Sequence, residues 1–140
     1  MFSSERPILA IDFDGTIVEN NYPSIGKPML FAFETLKKLQ KKGFILILWT
    51  YRSDERLEEA VGFCRKHGLE FYAVNKSYPE EEYADNISRK INADIFIDDR
   101  NIGGFPGWGE IYRELIGKDK ELEELKNKKK GFFESIFKQL

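Results

Sequence analysis

Ile8-Leu9-Ala10-Ile11-Asp12-Phe13-Asp14-Gly15-Thr16 is the stretch on which the reading of this chain turns. Its first four residues are uniformly apolar, as expected of a strand buried on both faces. The run then ends in two acids, and Gly15 breaks it. Residues 16–28 carry Asn20, Asn21, Pro23, Gly26 and Pro28, so they are expected to form a loop, folded back as a short hairpin or not.

Downstream, Pro28 suits the first turn of a helix. Met29, Ala32, Phe33, Leu36 and Leu39 follow at helical spacing, and Lys41-Lys42-Gly43 closes that helix. Phe44 to Trp49 is a second buried strand, ending at Thr50. Ser53 or Asp54 caps the next helix, with Leu57, Val61 and Cys64 as its inner stripe and Gly68 at its end. Leu69 to Val74 is expected as a third strand. Tyr83, Ile87 and Ile91, four apart, predict a helix over 79–92. Asp94 to Ile97 is a fourth strand running into Asp98-Asp99, and a glycine-rich loop over 103–109 precedes a short helix over 111–116.

Strand and helix alternate throughout, which predicts an α/β, Rossmann-like fold: a mostly parallel sheet with helices on both faces. Ligands in such sheets bind beyond the carboxyl ends of the strands. Asp12 and Asp14, Thr50, and Asp98 with Asp99 all fall at those ends.

Asp12 and Asp14 can converge on one site where the strand ends and the chain turns. Two neighbouring carboxylates repel, and a divalent cation is the usual means of holding both ionised. An all-oxygen site suits magnesium. Asp12 can attack a phosphorus held there to form an aspartyl-phosphate. Asp14 is placed to protonate the leaving oxygen and later to activate water. Gly15 turns the backbone and exposes amides to phosphate, which makes Gly15 and Thr16 candidate substrate contacts. Arg52 and Arg100 are placed either to touch substrate or to pair with a local carboxylate. Trp108 either lines a substrate mouth or packs over the sheet edge.

Asp12-x-Asp14-Gly15-Thr16 after a buried strand resembles motif I of the haloacid-dehalogenase superfamily. Thr50 matches its motif II and Asp98-Asp99 its acidic motif IV, so the resemblance runs from about Ile8 to Arg100. It implies Asp12 as nucleophile and Asp14 as general acid/base that meets the metal through its backbone carbonyl. It further implies Asp99 as a direct Mg2+ ligand with Asp98 in support. Motif III is a lysine that pairs with the nucleophile and the phosphate; Lys90 is the favoured candidate and Lys76 the alternative. Neither gap between motifs leaves room for a cap domain, so the resemblance is to the capless class. The loop from Thr16 to Pro28 then becomes the candidate lid, with Asn20, Asn21 and Tyr22 near the substrate. The activity implied is a magnesium-dependent phosphatase acting on a phosphorylated small molecule or a larger phospho-substrate. A phosphotransferase or nucleotidase would use the same residues. A catalytically inactive module binding metal or a phosphorylated partner is the reading from another class.

Composition bounds these expectations. The 140 residues are 41% hydrophobic and 33% charged with a formal net charge of −2, so no basic footprint suggests binding along a nucleic-acid backbone. One cysteine and one histidine exclude an intramolecular disulfide, a cysteine cluster for zinc and any two-histidine mechanism. Cys64 is expected in the core and His67 as a charge partner at a helix end. No apolar run approaches membrane-spanning length and none precedes Pro7, so a cytoplasmic protein without membrane contact is expected. One catalytic domain is expected over 1–117. A charged helical tail over 118–140, with Leu122, Leu125, Phe133, Ile136, Phe137 and Leu140, packs either on that domain or on a neighbouring subunit in a homo-oligomer.

Overall fold

A computed structural model describes residues 6–138, the side chains at 118–123 and 126 excepted. The elements run β1 (Ile8–Ile11), α1 (Ala32–Lys41), β2 (Ile45–Leu48), α2 (Asp54–Lys66), β3 (Ala73–Val74), β4 (Ile95–Ile97) and α3 (Trp108–Lys138). The four strands form one sheet in the order β3-β2-β1-β4, all parallel. The α/β, Rossmann-like architecture expected from the alternation is therefore present. No helix among the described residues is long and apolar enough to cross a membrane.

The chain winds outward from β1 through β2 to β3, then returns to place β4 on the other side of β1. Strand order reverses between β1 and β4, and a crevice opens at such a reversal. Backbone hydrogen bonds carry the ladders past the strand ends there: Asp12 N–H to Ile97 at 3.0 Å, Trp49 N–H to Ile11 at 2.8 Å and Asn75 N–H to Leu48 at 2.8 Å. Those bonds fix the chain where its polar residues begin.

Side chains alternate between the two faces of the sheet. Leu9, Ile11, Leu46 and Leu48 pack with Leu36 and Leu39 of α1, Ala60 and Cys64 of α2, and Trp108, Ile111 and Leu115 of α3. Ala10, Ile47 and Ala73 face the other way and pack with Ile91. All three helices thus cover one face. The expectation of helices on both faces is corrected, because residues 79–92 form turns and irregular chain where a helix was expected. Of the three residues whose spacing suggested that helix, Ile91 is buried while Tyr83 and Ile87 are exposed. Side chains there compete for backbone groups: Glu81 accepts from Ser77 N–H, Ser88 from Lys90 N–H, and Ser77 from Asn92 N–H.

Other boundaries shift for local reasons. The first helix begins at Ala32, after Phe31 adopts a left-handed φ of 65°, and Pro28 lies outside it, bridging to Val18 instead. Residues 17–19 and 27–29 pair through Glu19 N–H to Lys27 at 2.7 Å and Met29 N–H to Ile17 at 2.8 Å, so the loop does fold back as a hairpin. The short helix expected over 111–116 is the start of the 31-residue α3, which crosses the expected boundary at 117 unbroken. Phe132, Phe133, Ile136 and Phe137 on its distal part are exposed, Phe137 at 73%, so these residues are not docked on their own domain. The Leu122 side chain and Leu140 lie outside the described residues.

Candidate functional site

Because the strands are parallel, all their carboxyl ends lie on one edge. Asp12 follows β1, Thr50 follows β2, Asn75 follows β3 and Asp98 follows β4. A cavity of about 710 Å³ opens on that edge, lined by Asp12, Asp14, Asn20, Tyr22, Trp49, Thr50, Tyr51, Asp98 and Arg100. The first of the candidate residues, Asp12, sits where the sheet reverses.

Carboxylate oxygens of Asp12, Asp98 and Asp99 lie within 4.8 Å of one another. Their spacing and their hard oxygen chemistry could hold a metal ion. Burial pushes the Asp12 carboxyl up to about 7, helped by the charge of Asp98 and by Asp99 close enough to share a proton; the Thr16 hydroxyl and the Phe13 backbone act in the opposite direction. A cation among the three would relieve that repulsion, so the residues present fit one. Gly15 permits the arrangement. Its φ is 87°, and a Cβ there would stand 2.2 Å from Asp99 Oδ2.

Thr16 is fully buried. Its hydroxyl lies 3.1 Å from Asp12 Oδ2 and 3.5 Å from Asp99 Oδ1, and its carbonyl accepts from Trp108 Nε1 at 2.8 Å. The expectation that Thr16 touches substrate is therefore corrected: it braces the acidic residues from within. Trp108 does not line the mouth. It is buried, with its indole N–H holding the Thr16 turn.

Arg52 is corrected in the same way. It is 1% exposed, and its guanidinium forks onto Asp14, Nε to Oδ2 and Nη2 to Oδ1, each at 2.8 Å. Its remaining N–H groups donate to the carbonyls of Pro23 at 3.0 Å, Ser24 at 2.9 Å and Arg56 at 3.4 Å. The guanidinium lies with its carbon over the Phe13 and Tyr22 rings, 5.2 Å from each centroid. It is spent on protein groups and has none left for substrate. The Asp14 carboxylate is consequently outside the acidic cluster, although it lines the cavity.

Thr50 lines the cavity as expected, with its N–H held by Asn75 Oδ1 at 2.8 Å and its hydroxyl oxygen accepting from Arg52 N–H at 3.2 Å. The hydroxyl proton is left for a ligand. Asn75, which also donates to the Arg52 carbonyl at 3.3 Å, was missed in the sequence. An asparagine just past a weak strand, tolerant of the left-handed φ of 54° found here, was the available signal.

Neither candidate lysine lines the cavity. Lys90 is exposed, its ammonium 5.3 Å over the Phe96 ring, because the helix expected to carry it does not form. Lys76 lines a separate depression with Glu81 and Arg89. Arg100 is the cationic residue among those lining the main cavity. Asn20 and Tyr22 of the hairpin line it too, whereas Asn21 does not. Outside the site, Cys64 is buried in the core and burial pushes its thiol up to about 12. His67 stacks on Phe33 at 4.3 Å.

A protein of known structure described as the conserved protein coded by a locus from Bacteroides thetaiotaomicron is 56% identical to this chain. The match covers 81% of this chain and 92% of that one, with a TM-score of 0.77. The chain belongs to that protein's family. No protein-family model matches it, and no curated protein does. The family it shares with the Bacteroides protein thus rests on a common architecture and on 56% identity over the matched region.

Proposed function

We propose that the chain is a magnesium-dependent phosphohydrolase of the capless haloacid-dehalogenase type, acting on a phosphomonoester through Asp12. The observation that carries this reading is the meeting of Asp12, Asp98 and Asp99 within 4.8 Å at the reversal of a parallel sheet. Asp12, Asp98 and Asp99 would hold the magnesium, which would supply charge to offset the phosphate and the carboxylates.

In this reading an Asp12 oxygen attacks phosphorus, the ester P–O bond breaks, and the leaving oxygen takes a proton. Water then attacks the aspartyl-phosphate, loses a proton to a base, and releases inorganic phosphate with Asp12 regenerated. Asp14 lies at the cavity wall for both proton transfers. Its oxygens each accept one bond from Arg52 and each keep a second lone pair. Thr50 donates its hydroxyl proton to a phosphoryl oxygen, and Arg100 supplies the positive charge that the lysines do not.

That lack of a lining lysine favours a second reading, a module that binds a cation or a phosphorylated partner without turnover. Phosphate release from a panel of phosphomonoesters, with magnesium and then with chelator, separates the two. Turnover that needs magnesium and disappears in Asp12→Asn supports the hydrolase. A folded protein inert on every ester sinks it and leaves the binding module.

A further inference from the structure

The cavity is much larger than a phosphoryl group needs, and aromatic residues line it together with the carboxylates. Trp49, Tyr51 and Tyr22 line it, with Asn20 and Arg100. Tyr51 is 90% exposed and Tyr22 48% exposed, a large ring surface turned toward water beside a half-buried acidic site.

The rings are placed by the same elements that place the acids. Trp49 and Tyr51 flank Thr50 directly after β2, so the sheet sets their positions. Tyr22 rests on the Arg52 guanidinium at 5.2 Å, and that guanidinium is itself bonded to Asp14 and to the Pro23 and Ser24 carbonyls. Tyr22 and Tyr51 meet with centroids 6.1 Å apart and planes at 66°. They form a corner that offers a π-face on one side and a ring edge on the other. A planar aromatic group fills such a corner by stacking and edge contact together. A flexible polyol gains neither. The Arg100 guanidinium, which makes no hydrogen bond or ion pair with the described residues, stands at the same cavity for the phosphoryl end of the ligand.

Resting on the phosphohydrolase reading, we infer that the substrate is a phosphomonoester whose leaving group carries a planar aromatic ring, seated in the Tyr22–Tyr51 corner. An aryl ester and a nucleoside monophosphate share this chemistry, and they differ in whether the ring is joined to the phosphate directly or through a sugar.

The test is titration calorimetry on the full chain carrying Asp12→Asn, with magnesium, using phenyl phosphate, adenosine 5′-monophosphate and glycerol 2-phosphate. Turnover of the same three esters is measured in parallel with Asp12 intact. At least one aromatic ester should bind about 10-fold more tightly than glycerol 2-phosphate. Adding Tyr51→Ala should bring the affinity of the aromatic ester down to that of glycerol 2-phosphate, and Tyr51→Phe should keep the preference. Tyr51 is so exposed that its truncation does not threaten folding. Whichever aromatic ester binds tighter identifies the source of the ring. Aromatic preference without turnover of any ester would support the corner and sink the hydrolase. Turnover without aromatic preference would leave the hydrolase standing and overturn this inference, as would failure of both aromatic esters to bind.

Discussion

The guanidinium of Arg52 grips both carboxylate oxygens of Asp14 at 2.8 Å while donating to Pro23 and Ser24 of the hairpin. One buried side chain from the loop after β2 therefore ties the loop after β1 to the hairpin over the site. Truncating it strands Asp14, whose side chain is only 14% exposed, without its partner. Arg52→Ala is expected to cost about 3–5 kcal/mol in urea unfolding, and Arg52→Lys less, since lysine keeps the charge and loses the fork. Because both partners act as a unit, the Arg52→Ala/Asp14→Ala double variant should lose less than the sum of the singles. Additive losses would show that the pair is not coupled.

Gly15→Ala tests the close approach of Asp99. The new Cβ would stand 2.2 Å from Asp99 Oδ2 at a φ of 87°, so either the carboxylate or the backbone must move. A loss of about 1–3 kcal/mol in stability is expected, with weaker binding of a divalent cation. Unchanged cation affinity by calorimetry would mean that Asp99 does not need this position.

The acidic cluster makes a signed prediction with pH. In the cation-free protein Asp12 titrates near 7 when folded against 3.8 as a free side chain. Below about pH 4 the carboxyl is protonated in both states and its folded form bears no penalty. Between about pH 4 and about 7 the unfolded chain ionises this carboxyl while the folded protein keeps its proton, so stability falls across that window, by about 1–2 kcal/mol after allowance for solvent screening, and levels off above it. Chemical denaturation at pH 5 and pH 8 should show this loss, and Asp12→Asn should flatten it. Magnesium at about 100 times its Kd should add about 2.7 kcal/mol at pH 8, more than offsetting that loss. An identical pH dependence in Asp12→Asn would remove Asp12 as the source.

Asn75 separates a conformational role from a hydrogen-bonding one. Asn75→Gly keeps the left-handed backbone at φ 54° and removes the side-chain bonds to Thr50 N–H and the Arg52 carbonyl. Asn75→Ala removes both. Glycine should therefore be the milder change in stability, by about 1 kcal/mol, while both should lower phosphate release by freeing the Thr50 loop. Glycine matching the wild type in phosphate release would assign Asn75 to backbone conformation alone.

Much of this was legible along the chain because it depends on short-range pattern. Apolar runs of four to six residues bounded by acids, threonine and glycine mark buried strands, and the helical stripes of Leu36, Leu39 and Cys64 mark the helices that cover them. The failure at 79–92 has the opposite cause. Tyr83, Ile87 and Ile91 satisfy a helical spacing, yet spacing does not reveal whether a core awaits the stripe, and only Ile91 found one.

A parallel α/β sheet with Asp12, Thr50, Asp98 and Asp99 along one edge is readable from the order of residues, since strand ends are local and parallel strands share a direction. Which of the charged groups face each other was settled by the packing of the whole fold. Arg52 went to Asp14 instead of to a ligand, Thr16 turned inward under Asp12 and Asp99, Asn75 took hold of Thr50, and Lys90 stayed outside. Such pairings join residues far apart in the chain, and burial settles them: a charged or polar group taken out of water must end against whichever partner the packed fold brings within reach.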